Sequence, residues 1–264
     1  MHALHAQVTA LIEQVATDIV LPRFGTLRAQ DISEKTTDDY VTIADKESEE
    51  RLSEGLAEIL PEAGIIGEEA VAADPSVIDA AGIGLQWIID PIDGTGNFAA
   101  ARAPFGIMIG LVQDGVPQAG WIYDPLERRM CHAVLGGGAW VNGERLTARE
   151  SGEAVPIAAL ATYYLTKEEH AEIGRRATGH FTLVDIPRCA AEQYPRLALG
   201  QNDLALFERS HPWDHAPGAL FLNEAGGRLL RRDGTAYRIG DGKKGLLGAS
   251  SPRKWDVGAR VLFG

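Results

Sequence analysis

The sequence predicts a layered α/β fold, and three stretches of the chain lead to this class. In the first 60 residues, apolar side chains recur at three- and four-residue intervals, which is the spacing of amphipathic helices. Between residues 85 and 135, short apolar runs are separated by Gly, Pro and Asp, which indicates sheet. From residue 157 onward, predicted strands and helices alternate, as they do where helices and sheets stack in layers.

Two N-terminal helices are predicted from the spacing of their apolar residues. The first should end near Pro22, and the second should begin within 42–45 and stop at Pro61, because proline cannot continue a helix. The apolar faces are formed by Leu4, Val8, Leu11, Ile12, Val15 and Ile19 in the first helix and by Leu52, Leu56, Ile59 and Leu60 in the second.

A boundary between two halves of the chain is expected shortly after a hairpin signal. Asn142-Gly143 is a typical two-residue turn of β-hairpins, and the polar stretch 145–153 follows it. We therefore assign residues 1–150 to an N-terminal α+β half and residues 151–264 to a C-terminal α/β half.

The C-terminal half is predicted to alternate strand and helix. Thr166 and Glu169 form the capping-box pattern that opens a helix. The predicted strands are 157–164, 181–186 and 203–207, and the predicted helices are 166–179, 190–199 and 216–225.

Composition and charge narrow the class of protein. The chain has 264 residues, of which 45% are hydrophobic, and a formal net charge of −12, which argues against a nucleic acid polymer as partner. It contains no apolar run as long as a membrane span, and its first residues do not resemble a signal peptide, so the cytoplasm is the expected location and no membrane partner is expected. Cys131 and Cys189 stand alone, without a CxxC pattern, and are expected to be ordinary core residues.

Three acidic groups stand at the ends of apolar elements. Glu68 and Glu69 follow Ile65-Ile66, Asp90 and Asp93 follow Trp87-Ile88-Ile89, and Asp214 opens a predicted helix. In open α/β sheets, strand ends and helix N-termini converge where ligands bind. We therefore expect these carboxylates to lie at a functional site.

Each of these groups also has an ordinary interpretation. Glu68 and Glu69 could be a solvated pair, Asp90 and Asp93 could be turn residues, and Asp214 could be a helix N-cap. If the groups converge, however, two carboxylates ~4 Å apart repel by about 4 kcal/mol at an effective dielectric of 20, so the cluster would need cations. Oxygen ligands select Mg²⁺, Mn²⁺ or Ca²⁺, and Mg²⁺ is the ion most often paired with substrate phosphate.

Other phosphatase and metal motifs do not match the spacing. An EF-hand needs D-x-[DN]-x-[DN]-G with a Glu at position twelve, which the segment at Asp90 lacks. The same segment reads DxxDGT, one residue longer than the DxDGT of haloacid-dehalogenase-type phosphatases. A cysteine phosphatase needs C-x₅-R, whereas six residues separate Cys189 from Arg196.

The combined motifs resemble those of the inositol monophosphatase family of lithium-sensitive, metal-dependent phosphatases. The core WIIDPIDGT with a downstream WDxAxG is specific to this group, and the resemblance runs across almost the whole chain. The matching segments are 35–42 with Asp45, then 67–69, 87–98, 138–143 and 213–218.

The resemblance implies an αβαβα sandwich with the site between the two halves, and it implies Mg²⁺ as cofactor. The ligands it implies for two or three Mg²⁺ ions are Glu68, Asp90, Asp93, Asp214 and the backbone carbonyl of Ile92. The metals would lower the pKa of the attacking water and neutralise charge on the transferring phosphoryl group.

The resemblance also implies the residues that act on water and substrate. Glu68 and Thr95 would position and deprotonate the attacking water, with Asp45 supporting the Thr95 hydroxyl. Asp93, Gly94 and Thr95 would contact the phosphate, the last two through backbone N–H groups at a helix start. A homodimer is the expected assembly.

The substrate end departs from the family pattern. Typical members have a Gly-Ser/Thr-Ala-Ala segment and a Glu before the Trp-Asp motif, whereas this chain has Arg188-Cys189-Ala190-Ala191 and places Glu208 in a loop that is one residue short. Glu208 is nevertheless the expected substrate contact. Lys35 is either a solvated lysine or an electrostatic contact of the site.

The predicted function is Mg²⁺-dependent hydrolysis of a small phosphate monoester by direct attack of water. Inositol phosphate, histidinol phosphate and sugar phosphates stay open as substrates. The alternatives are a phosphatase of the same group acting on fructose bisphosphate or a bisphosphate nucleotide, and a non-catalytic regulator that binds metal or a phosphorylated ligand. The regulator would be expected to lack Glu68 or Thr95, and both are present.

Overall fold

The computed structural model of the chain describes residues 1–36 and 39–264, so Thr37 and Asp38 of the family-like segment lie outside the described residues. The helices are α1 (His5–Val15), α2 (Leu21–Arg23), α3 (Ile43–Ile59), α4 (Glu68–Ala73), α5 (Thr95–Ala99), α6 (Lys167–Ala177), α7 (Ala190–Ala198), α8 (Pro212–Glu224) and α9 (Pro252–Phe263). A π-helical turn at Ala16–Val20 joins α1 to α2, and short 3₁₀ turns occur at Ala29–Asp31 and Pro75–Ala80.

The strands of the described residues form three sheets. They are β1 (Ile32–Thr36), β2 (Asp39–Thr42), β3 (Gly64–Gly67), β4 (Leu85–Asp93), β5 (Gly106–Gln113), β6 (Val116–Asp124), β7 (Arg129–Val134), β8 (Gly138–Val141), β9 (Glu144–Leu146), β10 (Ile157–Leu160), β11 (Thr182–Val184), β12 (Leu204–Phe207), β13 (Arg228–Arg231) and β14 (Leu246–Ala249).

The sheets differ in size and in strand direction. β1 and β2 pair antiparallel as a ribbon. The larger sheet has the order β3-β4-β5-β6-β7-β8-β9, in which only the β3–β4 pair is parallel. The smaller sheet has the order β11-β10-β12-β14-β13, with β10 parallel to both of its neighbours.

The layers run helix, sheet, helix, sheet, helix, as the resemblance to the family implies. α1 and α3 pack on one face of the larger sheet, and α7 and α8 fill the space between the two sheets. α6 and α9 cover the outer face of the smaller sheet. The larger sheet lies within 64–146 and the smaller within 157–249, and the division into halves at residue 150 as separate units stays a prediction.

The N-terminal helices follow their predicted apolar faces. Val8, Ile12, Leu52 and Leu56 are fully buried in one core with strands of the larger sheet. α3 begins after Thr42 and ends at Ile59, within the predicted limits. The first helical segment continues through Pro22 to Arg23, one residue past the predicted end, by way of the π-helical turn.

The predicted bounds of three elements in the C-terminal half are wrong. β10 ends at Leu160 rather than at 164, because its parallel pairing with β12 ends there, and β11 is shorter than the predicted strand 181–186. α8 begins at Pro212, four residues before the predicted start, because proline is favoured at the first helical position. The N-cap of α8 is His211, so the N-cap interpretation of Asp214 is wrong.

Several local predictions are confirmed. Asn142 and Gly143 both have positive φ angles, 50° and 82°, in the two-residue turn between β8 and β9. Glu169 N donates to Thr166 Oγ1 over 3.2 Å in the capping box of α6. Both cysteines are buried and free. No helix in the described residues has the length and apolar character that a bilayer span requires.

A close contact within the middle layer fixes the position of α8. A Cβ atom added at Gly218 would lie 2.1 Å from Cδ2 of Tyr194 on α7. The ring of Tyr194 is fully buried and stacks on Phe207 with the ring centroids 5.1 Å apart. The final glycine of the WDxAxG segment is therefore explained by packing, because only a hydrogen atom fits between α7 and α8 here.

Candidate active site

One cavity of about 570 Å³ collects almost all of the residues predicted to form the site. It opens where the ends of β4 and β12 meet the first residues of α5, α7 and α8. The predicted residues that line it are Glu68, Asp90, Ile92, Asp93, Gly94, Thr95, Glu208 and Asp214. Asp45 lies behind the wall and is 1% exposed.

A β-bulge explains why two acids of β4 belong to one site. In a regular strand, residues three apart point to opposite faces of the sheet. The pairing of β4 with β5 shifts between Asp90, opposite Met108, and Asp93, opposite Gly106, so β4 carries an extra residue at this point. The bulge brings both carboxylates to the same cavity. Pro91 is tolerated inside the bulge, beyond the last residue of β4 that pairs with β3.

The third carboxylate comes from α8. Asp214 lies in the first turn of α8, where a negative charge is favoured by the helix dipole. One carboxylate oxygen from each of Asp90, Asp93 and Asp214 lies within 4.8 Å of the others. We call these three residues the aspartate cluster.

The aspartate cluster combines two buried carboxylates and one partly buried carboxylate that repel one another when charged. Burial, followed by the charges of neighbouring acids, raises the pKa of Asp90 and Asp214 well above the usual range. Burial also raises the pKa of Asp93 to about 6, although hydrogen bonds to its carboxylate oppose the shift. Removing three carboxylates from water disfavours their charged forms, and their mutual repulsion adds to this cost.

The chemistry of the cluster fits a hard divalent cation. The charge of Arg209 lowers the pKa of Asp214, but burial and the neighbouring acids outweigh it. All the donor atoms are oxygens, the type that Mg²⁺ and Ca²⁺ prefer. A cation bound among them would offset both the burial and the repulsion.

Asp93 also holds two layers of the fold together. Its Oδ2 atom accepts a 2.6 Å hydrogen bond from the backbone N–H of Ala191 at the start of α7. The thiol of Cys189 lies 3.7 Å from the carbonyl oxygen of Asp93. Burial raises the pKa of this thiol well above its usual range, which does not suit a nucleophile.

Glu68 is held next to the cluster by strand register. β3 and β4 run parallel with Gly67 opposite Ile89, so Glu68, the first residue after β3, lies beside Asp90 of β4. The Oε1 atom of Glu68 accepts a 2.9 Å hydrogen bond from Lys35 Nζ, which also donates to Glu69 Oε1 over 2.6 Å. In this structure, Glu68 therefore lines the cavity but is paired with Lys35.

Thr95 is fixed by two acceptors at the start of α5. Its hydroxyl lies 3.1 Å from Asp45 Oδ1 and 3.0 Å from the carbonyl oxygen of Ile92. The other oxygen of Asp45 accepts from the N–H of Thr42 over 2.8 Å and from its hydroxyl. Burial raises the pKa of Asp45 to about 7.

The turn into α5 requires glycine. Gly94 has a φ of +84°, in the left-handed region, and an added Cβ would lie 3.0 Å from Pro104 O and 3.2 Å from Cys189 Cβ. Gly94 therefore keeps the backbone between the aspartate cluster and Thr95 in place.

We expect Thr95 and Asp45 to act as one unit, which a double-mutant cycle will measure. Thr95→Ala removes the hydroxyl, and Asp45→Asn turns an amide group toward Thr95 because its oxygen is needed by Thr42. Each change should lower kcat, and the pair should be less than additive by ~0.5–3 kcal/mol in activation free energy. Thr95→Ser, which keeps the hydroxyl, is the control and should retain most of the activity. Strict additivity would contradict the shared role.

Glu208, the predicted substrate contact, lines the cavity and is paired with an arginine. Its carboxylate accepts a hydrogen bond from Arg232, and its carbonyl oxygen accepts from Gly245 N over 3.3 Å. It still lines the cavity, but its charge is balanced by this arginine. Its role as a substrate contact stays a prediction.

His215, next to Asp214, is a structural residue. Nδ1 is 2.7 Å from the hydroxyl of Tyr194, and Nε2 is 2.9 Å from the carbonyl oxygen of Arg209. Burial lowers its pKa to about 3, so the ring is neutral at physiological pH.

A carboxylate behind Glu68 is not among the residues predicted from the sequence. Glu49 accepts hydrogen bonds from the backbone N–H groups of Glu69 and Ala70 over 2.8 and 2.7 Å, which caps α4. Burial raises its pKa to about 7. A signal was present, because Asp45 and Glu49 share one helical face with buried Leu52 and acids are unusual there.

Comparison with known proteins supports the motif assignment. The profile of the inositol monophosphatase family matches residues 4–260, nearly the whole chain. The chain belongs to the inositol monophosphatase family. The family includes relatives that are named as phosphatases.

Individual relatives and structures show the breadth of the family. The inositol-1-monophosphatase of Bacillus subtilis (strain 168) is 31% identical over 223 residues, which are 82% of this chain and 81% of that protein. The Nus factor SuhB of Pasteurella multocida is 31% identical over 231 residues, which are 83% of this chain and 80% of that protein. The crystal structure of inositol monophosphatase II from Staphylococcus aureus aligns with a TM-score of 0.82 at 27% identity, covering 99% of this chain and 94% of that one.

Proposed function

We propose that this protein hydrolyses a small phosphate monoester by direct attack of water, with Mg²⁺ as cofactor. The single observation that carries the proposal is the aspartate cluster, whose three carboxylates lie within 4.8 Å of one another, two of them buried and the third partly buried. A cluster of this kind is costly to fold and is expected where a cation and a phosphate meet.

The proposed metal-holding groups are the aspartate cluster, Glu68 and the carbonyl of Ile92. When bound there, Mg²⁺ supplies Lewis-acid activation of water and neutralises phosphate charge. The chain itself fixes the orientation of these groups, through the bulge at Asp90 and the hydrogen bond from Ala191 to Asp93. Glu68, which is paired with Lys35 in this structure, would help to hold the cofactor and would contact the attacking water.

The remaining proposed roles follow from the contacts around α5. The Thr95 hydroxyl, which donates to Asp45 or Ile92, accepts a hydrogen bond from the attacking water and aims it. Glu68 takes the proton of that water as general base. Gly94 and Thr95 contact the phosphate through backbone N–H groups.

Two alternatives stay within the same family. A bisphosphatase would use the same cluster, and a relative from Aquifex aeolicus is named fructose-1,6-bisphosphatase/inositol-1-monophosphatase. A non-catalytic regulator is also to be considered, because SuhB relatives are named Nus factors. The presence of both Glu68 and the Thr95–Asp45 hydrogen bond favours catalysis, since a binding protein needs neither.

The experiment is a metal titration on a panel of phosphate monoesters. We expect no phosphate release after metal removal with chelator, and full recovery on addition of Mg²⁺. The melting temperature should rise on addition of Mg²⁺, since a ligand that binds only the folded state stabilises it by RT ln(1 + [L]/Kd). Full activity in verified absence of divalent metal would overturn the proposal. Mg²⁺-dependent stabilisation without hydrolysis of any ester would support the regulator.

The family membership adds further expectations to this proposal. We expect a homodimer in light scattering, inhibition by Li⁺, and a cytoplasmic location.

A further inference from the structure

The cavity wall away from the aspartate cluster is positively charged. Apart from the cluster and Glu68, the charged lining residues in the described chain are Arg102, Arg188, Arg209 and Glu208. Because Glu208 is paired with Arg232, the net charge of this wall comes from the arginines. The overall charge of the protein is −12, so a positive wall is a local feature.

Arg188 has an unfavourable backbone conformation. Its φ angle is +54°, in the left-handed region that favours glycine. A non-glycine residue held in such a conformation costs free energy, and such residues occur in turns and cluster at functional sites. Arg188 directly precedes Cys189, which contacts the carbonyl of Asp93, so the strained residue adjoins the segment that holds the cluster.

The side chain of Arg188 is oriented by an aromatic ring and retains its hydrogen-bonding capacity. Its guanidinium carbon lies 5.3 Å from the ring centroid of Tyr163, a cation–π contact that uses the flat face of the group. The residue is exposed, and within the described residues its guanidinium forms no hydrogen bond or ion pair. Its five N–H donors therefore remain available at the cavity wall.

A second arginine repeats this arrangement next to the first. The Arg209 guanidinium carbon lies 4.9 Å from the ring centroid of Tyr164, and its Nη1 atom donates to the hydroxyl of that ring over 2.6 Å. The rings of Tyr163 and Tyr164 are 4.2 Å apart. The four residues form a continuous Arg-Tyr-Tyr-Arg stack, which we call the arginine stack, and all four line the cavity.

We propose that Arg188 is a specificity residue that binds a second anionic group on the leaving group of the substrate. The inference rests on the proposed function and identifies its substrate class as phosphate monoesters that carry a further phosphate or carboxylate. A guanidinium binds either group through two parallel hydrogen bonds. Neutral polyol phosphates lack this contact, and leaving groups that carry an amine are repelled by it.

Matched pairs of substrates test the inference on the Mg²⁺-loaded enzyme. Fructose 1-phosphate and fructose 1,6-bisphosphate differ by a phosphate, and glycerol 3-phosphate and 3-phosphoglycerate differ by a carboxylate. We expect the wild type to prefer the anionic member of at least one pair by ~10–100-fold in kcat/KM. The pair that shows the preference identifies the second group. Histidinol phosphate should be the poorest substrate.

Variants at Arg188 then separate specificity from catalysis. Arg188→Gln should abolish the preference by raising KM for the anionic member, with the neutral member changed by less than about 2-fold. Arg188→Gly should behave in the same way and should fold, because glycine adopts the observed backbone conformation. Arg145→Gln is the matched control, since Arg145 is also exposed and stacked on an aromatic ring, Trp140, but lies outside the cavity.

The outcomes distinguish this inference from the proposed function. Equal kcat/KM within both pairs, or an equal loss for both members in Arg188→Gln, would overturn the inference and leave the phosphatase intact. Failure of the wild type to hydrolyse any ester with Mg²⁺ would overturn the proposed function and the inference with it. A preference that survives in both Arg188 variants would also overturn the role of this residue.

Discussion

Replacing Asp214 with Asn should make the metal-free protein more stable and the Mg²⁺-loaded protein far less active. The substitution removes one of three clustered charges that repel one another, and it retains the shape of the side chain. We expect an increase of several degrees in the melting temperature at pH 8 in chelator. The loss of activity should exceed the roughly 10–100-fold typical of disturbing an outer partner of a metal site.

The pH dependence of the metal-free protein follows from the same charges. Burial raises the pKa of Asp93 to about 6, from 3.8 for the ordinary residue, and shifts those of Asp90 and Asp214 upward as well. At pH values between the ordinary pKa of Asp and the raised pKa values, the folded state keeps protons on these aspartates that the unfolded state has lost. The free energy of unfolding therefore falls as pH rises from about 4 through 6 and above. For Asp93 alone, two pKa units correspond to roughly 3 kcal/mol.

Thermal unfolding in chelator across this pH range provides the measurement. With rising pH, the melting temperature of the wild type should fall more steeply than that of Asp214→Asn. Addition of Mg²⁺ should raise the melting temperature of the wild type more than that of the variant. Asp124→Asn is a matched control, because Asp124 is also buried but is paired with Arg129 and accepts from two backbone N–H groups. That change should destabilise the protein. A variant at Asp214 less stable than wild type at pH 8 without metal would contradict this account of the cluster.

The sequence predicted the acids of the site but not the geometry that joins them. Asp90 and Asp93 are three residues apart, which in a plain strand would separate them, and only the pairing with β5 shows the bulge. The adjacency of Glu68 and Asp90 depends on a parallel register between strands about 20 residues apart in sequence. Periodicity indicates that such strands exist, but register is decided by packing in three dimensions.

The partners of charged residues were the least predictable part. Lys35 contacts Glu68 and Glu69, which lie 33 and 34 residues further along the chain. Glu208 was expected to be available for substrate, and its ion pair with Arg232 joins two segments that no local pattern relates. In contrast, the capping box at Thr166 is local, and a short stretch of sequence was enough to predict it.

Glu68 and Glu69 provide the most direct test of the proposed chemistry, because they are neighbours that share one lysine. Both carboxylates accept a hydrogen bond from Lys35, but only Glu68 lines the cavity. Glu68→Gln should lower kcat by ~10²–10⁴ through loss of the base, with weaker Mg²⁺ binding in addition. Glu69→Gln changes the contact with the same lysine and should lower kcat much less. Equal losses in the two variants would indicate that only the contact with Lys35 matters.

The stereochemical course of the reaction decides whether the water attacks phosphorus directly. If Glu68 and Thr95 activate one water molecule beside the aspartate cluster, hydrolysis of an isotopically chiral phosphate ester must proceed with inversion at phosphorus. Single turnover in ¹⁸O-labelled water should place one labelled oxygen in the released phosphate. A covalent route needs an accessible nucleophile, and the thiol nearest to the cluster, Cys189, is buried with a raised pKa. Retention at phosphorus, or a phosphorylated residue trapped by acid quench, would overturn the direct mechanism and with it the role of Glu68.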